Sequence, residues 1–232
     1  MGTDPPHTGG LAQPLLPAWL TYYTFQNKTN SSRKLAEKSI FLERSVMKEN
    51  VGLQDQIAAS YGGFNFIKFK KNTFNVKKVS CNKNFTKRLN ENLFLVYTGV
   101  SRTAEKISRT YTSNLNKSGK NNIKKILSFV DQAKRIIKKN NPDDFGYLLN
   151  ETWMQKRELS KSVSNSKIDY IYNLGIKNGA LGGKLLGAGG GGFVLFYTNN
   201  KYKKKFISSF KNKVVLPIKL IDKGSEVIFN AE

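Results

Sequence analysis

Two stretches of this chain hold residues whose types and spacing could do chemistry. In LERSVMKENVGLQDQIAASYGG, Glu43 lies on a predicted helix and Asp55 at the start of the next, with Gly52 permitting a tight turn between them. Two carboxylates brought together from adjoining helix ends could bind Mg2+ and position an attacking hydroxyl. Spacing alone favours a structural reading, because capping explains Asp55 as well, and a solvated helix face explains Glu43 beside Arg44. The second stretch is GGKLLGAGGGGFVLF, Gly182 to Phe196, in which seven of fifteen residues are glycine. Consecutive glycines let the backbone take positive φ and approach another surface, and their N–H groups can form an anion-binding concavity.

Known glycine motifs do not fit the second stretch. A phosphate loop of the Walker type needs Lys and Ser or Thr after its last glycine, whereas Phe193 and Val194 follow here. A dinucleotide fingerprint runs from strand into helix, and this segment reads as running from helix into strand. The apolar flanks, LL on one side and FVLF on the other, argue against a flexible linker. What remains is an ordered glycine turn close to a ligand or to another backbone.

The elements that must position these residues follow from periodicity. RKLAEKSIFLERSVMKEN has helical spacing, with Ser31 or Ser32 as its cap, and DQIAASY reads as a second helix stopped by Gly62 and Gly63. FNFIKF and FNVKKV around KKNT give a hairpin signal, and Leu93 to Thr98 reads as a buried strand. Ile123, Ile126, Leu127, Val130, Ala133, Ile136 and Ile137 form the apolar stripe of a long helix with lysines on its other face. Pro142 and Asp143 open another helix, and Ser166 is the expected cap of KIDYIYNLGIKNG. FVLFYT, KYKKKFISSFKNK and VVLPIKL then read as strand, helix and strand, so the chain is expected to be an α+β fold with helices on one face of an antiparallel sheet.

Composition narrows the chemistry. The 232 residues are 39% hydrophobic and 24% charged, which suits a folded chain, and no run approaches the roughly 20 apolar residues of a membrane span. The expected location is the cytoplasm, with no membrane partner. One cysteine, Cys81, excludes an internal disulfide, and one histidine, His7, argues against histidine triads and zinc sites. The formal charge of +23 raises the question of nucleic acid, but the lysines are spread from Lys28 to Lys223, so no specific nucleic-acid partner is expected. The first 27 residues hold no Lys or Arg and four of the six prolines. They read as an atypical leader of non-native origin, from a shifted frame or a mis-assigned start, rather than as a native arm.

Four segments in order, VGLQDQIAASYGGFNFIKF, LFLVYTGVSRTAEKI, LLNETWMQKREL and GALGGKLLGAGGGGFVLFY, resemble the GHMP kinases, and among them the heptose 7-phosphate kinases and fucokinase-type enzymes. The resemblance implies a GHMP-kinase-like two-layer sandwich, with a ferredoxin-like C-terminal domain over 91–232 and a remnant of the N-terminal kinase domain over 28–90. It implies transfer of the γ-phosphoryl group of ATP, with Mg2+, to the anomeric hydroxyl of a heptose 7-phosphate, in a route to surface polysaccharide. Asp55 matches the family's catalytic aspartate, which accepts or orients the substrate proton, and Glu43 the helix glutamate that ligands Mg2+. Gly187, Ala188, Gly189, Gly190, Gly191 and Gly192 match the C-terminal glycine loop that packs against the phosphate site. Arg102, Lys156 and Arg157 could meet the substrate phosphate by charge, or serve the surface. The family's glycine-serine ATP loop is not matched: MGTDPPHTGGL offers only Gly2, Thr3, Thr8, Gly10 and Leu11 as traces, with Asp4, Pro5 and Pro6 in place of serines. The expectation is therefore a truncated or frame-disrupted sugar-phosphate kinase that binds ATP poorly, the alternative being a catalytically dead basic binding module.

Overall fold

The computed structural model describes residues 31–49, 52–71, 73–100 and 119–225. The leader, the traces of an ATP loop and Arg102 lie outside them. The described chain forms two compact units, one of residues 31–80 with 220–225 and one of Cys81–Lys219.

In the first unit, helix α1 (Ser32–Phe41) starts where the Ser31 hydroxyl accepts from the Lys34 N–H. It buries Leu35, Ala36 and Ser39, then loosens into a π-turn over Leu42–Val46. Helix α2 (Gln54–Tyr61) is capped at its C-terminus by Gly62 at φ 62°, and β1 (Asn65–Lys70) pairs with β2 (Thr73–Lys78) as an antiparallel hairpin. Ala36, Ile57 and Phe74 make the small core. The segment at 220–225 returns to this unit, where the Gly63 N–H donates to Ile221 O and the Ser225 N–H to Ala59 O.

The second unit runs α3 (Lys83–Asn92), β3 (Leu93–Tyr97), α4 (Gly119–Lys139), α5 (Pro142–Leu159), α6 (Ser166–Lys177), β4 (Ala180–Leu185), β5 (Phe193–Thr198), α7 (Lys203–Ser209) and β6 (Val215–Pro217). The sheet order is β4-β5-β3-β6, antiparallel throughout. Strands in chain order 2-3-1-4, with helices between the first and second and between the third and fourth and a hairpin between the second and third, form the split βαβ arrangement of ferredoxin-like domains. Register places Val96 between Val194 and Val215, and Phe94 between Phe196 and Pro217. Phe94, Val96, Val194 and Phe196 meet Trp153, Ile168, Ile171, Tyr172 and Phe206 in the core.

Four details depart from the sequence reading. Residues 180–185 form a strand, so the glycine turn joins two strands. Glycine has no strand preference to signal this, and the reason for it here is packing. A Cβ on Gly182 would lie 1.9 Å from the carbonyl oxygen of Gly146, and one on Gly146 would lie 2.7 Å from the Tyr197 ring, so α5 rests on β4 with no side chain between their backbones. Helix α3 was not anticipated, because only Phe85 and Leu89 among its ten residues carry an apolar signal. Asn165, not Ser166, caps α6, its Oδ1 accepting from the N–H groups of Lys167 and Ile168. Among the described side chains of α4, Phe129 and Ile137 are buried, while Leu127 is 60% exposed and Val130 39%, so the helix is rotated from the expected stripe to pack on α5.

Gly182→Ala is expected to cost about 2–4 kcal/mol, because backbone rather than a flexible side chain blocks the added methyl. Gly187→Ala, with open space around it but φ at 67°, should cost about 1–2 kcal/mol. Urea unfolding of the two variants gives the ranking, and equal losses would contradict the close approach.

Candidate active site

Glu43 is held by the π-turn, a geometry that re-aims side chains and recurs at functional sites. The Glu49 N–H donates to Glu43 O at 2.8 Å, and Lys48 takes a positive φ of 56° to close the turn. The Glu43 side chain is 3% exposed, which replaces the solvated helix face considered from the sequence. Its Oε2 accepts from Gln56 Nε2, and its Oε1 is buried with no hydrogen-bond partner. Burial pushes its carboxyl above the ordinary carboxylate range. The Gln56 hydrogen bond opposes that rise, and the charges of Glu49 and Asp55 add to it. An orphaned oxygen on a buried carboxylate fits either a proton or a hard cation such as Mg2+.

Asp55 is exposed in the first turn of α2, and the N-cap position belongs to Leu53, so Asp55 is not the cap. Its electrostatic coupling to Glu43 places the two carboxylates in one neighbourhood of the first unit. Gln56, the neighbour that fixes Glu43, was missed from the sequence. Its only signal was its place next to Asp55 on the inward face of an amphipathic helix. Among the described residues no three His, Cys, Asp or Glu side chains gather as a metal cluster, so a cation at Glu43 would take its other ligands from elsewhere, a nucleotide's phosphates being the expected source.

The glycine turn of the second unit is ordered by its neighbours. Gly187, Gly189, Gly190 and Gly192 have φ of 67°, 120°, 75° and 90°. The Gly190 N–H donates to Val163 O and the Gly192 N–H to Val100 O, both at 2.9 Å, while Asn165 Nδ2 donates to Gly190 O. A Cβ on Gly191 would fall 2.4 Å from Val100 O. No described residue accepts from the N–H groups of Gly187, Ala188, Gly189 or Gly191, which leaves four donors along one turn. A run of free amide donors in left-handed glycine backbone is suited to phosphate oxygens.

Lys156 reaches this turn, its Nζ donating to Gly187 O at 2.6 Å. Arg157 turns away, pairing with Asp169 at 3.0 Å with its guanidinium 5.9 Å from the Trp153 ring centroid. Asn165, which the sequence reading passed over, caps α6 and donates to Gly190 O, tying the helix start to the turn.

Residues 133–215 match the family model for the GHMP kinases C terminal. A D-glycero-alpha-D-manno-heptose 7-phosphate kinase from Campylobacter jejuni is 33% identical over 192 residues, 78% of this chain and 54% of the relative. The chain thus spans about half the length of that curated relative. Among solved structures, a mevalonate kinase has a TM-score of 0.67 at 25% identity, over 92% of this chain and 65% of the other. A D-glycero-D-manno-heptose 1-phosphate kinase from Bacteroides thetaiotaomicron has a TM-score of 0.70 at 20% identity, over 95% of this chain and 64% of the other.

A raised carboxyl pKa means that the fold prefers neutral Glu43. Its contribution to stability is complete below the unfolded value and is lost as pH rises through the folded one. Glu43→Gln, which keeps the shape and an acceptor for Gln56, should therefore be more stable than wild type at neutral pH. Chemical denaturation across pH 4 to 8 should show the gap closing on acidification, and a gap independent of pH would contradict the assignment. The glycine turn and the antiparallel sheet that carries it lie largely within residues 133–215, the stretch that matches the C-terminal domain of the GHMP kinases.

Proposed function

We propose that the chain is an ATP-dependent sugar-phosphate kinase that phosphorylates the anomeric hydroxyl of D-glycero-D-manno-heptose 7-phosphate. The observation that carries this reading is the 33% identity to a heptose 7-phosphate kinase over 192 residues, which extends well beyond the matched C-terminal domain. The geometry of each unit supports it separately. Phosphoryl transfer asks a protein for little covalent chemistry and much positioning and charge stabilisation. Asp55, exposed at a helix start, is free of burial and can accept or orient the proton of the attacking hydroxyl. Glu43 supplies the anionic oxygen that a divalent cation needs, and Gln56 holds the carboxylate in one orientation.

Mg2+, when bound, would neutralise charge on the ATP phosphates. The free amides of Gly187, Ala188, Gly189 and Gly191 would meet phosphate oxygens, and Lys156 adds a cation at the edge of the same turn. Arg157 supports the site by anchoring α5 to α6 through Asp169, without itself meeting phosphate.

ADP release with Mg·ATP and the heptose phosphate tests the reading. Asp55→Asn should lower kcat by about 100-fold or more while moving KM for ATP little, since the lost group acts on the acceptor hydroxyl. Mg2+ should raise the melting temperature of wild type and leave that of Glu43→Gln unchanged. Equal turnover in wild type and Asp55→Asn, including none in either, would remove the proposal.

A further inference from the structure

Between α4, α5 and β4 lies a cavity of about 390 Å3, to which Glu43, Asp55 and the glycine turn contribute no lining residue. One side is hydrocarbon, with Ile126, Phe129, Val130, Ala133, Leu148 and Leu149. The other is polar, with Thr152, Gln155, Lys156 and Lys184, and among the described residues no carboxylate lines it. A sugar would lose the hydration of its hydroxyls against the first side without recovering hydrogen bonds.

Two features mark the polar end as open to a ligand. Gln155 is 3% exposed, and its Oε1 is buried with no hydrogen-bond partner, so it lacks a donor. Lys184 is half-buried on β4, and among the described residues nothing accepts from its ammonium or pairs with it. Burial lowers its pKa accordingly. Lys156, the other cation of the lining, is already engaged, with Gly187 O among its partners. The Lys184 ammonium facing an apolar wall calls for an anion with a hydrocarbon body, and the orphaned amide oxygen calls for an N–H or O–H next to that anion.

We propose that this cavity binds a small amphipathic carboxylic acid bearing one N–H donor beside its carboxylate, in the manner of an N-acyl amino acid. The carboxylate lies at Lys184, the amide N–H donates to Gln155 Oε1, and the acyl chain lies between α4 and α5.

The test is calorimetric titration of the full chain with N-octanoylglycine and with its neutral analogue N-octanoylglycinamide. The acid should bind saturably and at least about tenfold more tightly than the amide, the usual weight of a charge-assisted contact. Lys184→Met should remove that advantage while leaving the amide unchanged. Ala133→Phe, which fills the hydrocarbon side, should weaken both. The proposal is overturned if neither compound binds saturably, if the two bind equally to wild type, or if both variants bind the acid as wild type does. Binding is read without turnover, so the result stands apart from that of the kinase reading.

Discussion

The second unit depends on one close approach, the backbone of α5 at Gly146 resting against the backbone of β4 at Gly182. No side chain separates them, so helix and strand sit closer than any other residue pair would allow. This contact fixes the rotation and height of α5 over the sheet. Trp153 thereby reaches the core, Gln155 and Lys156 face β4, and Arg157 meets Asp169 on α6. The same economy recurs at Phe196, whose ring occupies the space that side chains on Gly175 and Gly183 would take. Glycines here set distances between layers as much as they permit turns.

The turn that follows β4 inherits its position from this packing. Its ends are fixed by the β4-β5 ladder, and its middle is held by Val163, Asn165 and Val100. Among the described residues four amides of the turn have no acceptor, because the backbone bonds that order it use alternate glycines, Gly190 and Gly192, as donors. For the phosphate role proposed above, such a turn is preorganised, so that binding would cost little further ordering. Glu43 in the other unit shows a comparable logic. A π-turn and Gln56 hold a buried carboxylate with one oxygen left over, at a cost in stability that a cation would offset.

Much of the fold was legible in the sequence. Ser31, Pro142 and Gly62 stand at the helix boundaries they signal, and FNFIKF with FNVKKV forms the hairpin. The failures have physical causes. Strand β4 carries glycines chosen for a helix contact far away in sequence, so its local preference is silent. Helix α4 could have turned several apolar residues inward, and only its partner α5 decides that Phe129 is buried and Leu127 is not. Glu43 and Asp55 stand out as residues, but spacing could not show that one is buried and the other exposed. Gln56, Gln155 and Lys184 were invisible because their significance lies in lacking or supplying a partner, which only packing reveals.

The most direct test of the account is the position of the new phosphate on the product. Incubation with Mg·ATP and D-glycero-D-manno-heptose 7-phosphate, followed by 31P NMR, should show a second phosphorus coupled to the anomeric proton. Inorganic phosphate as the sole product, or a phosphorus on any other hydroxyl, would contradict it.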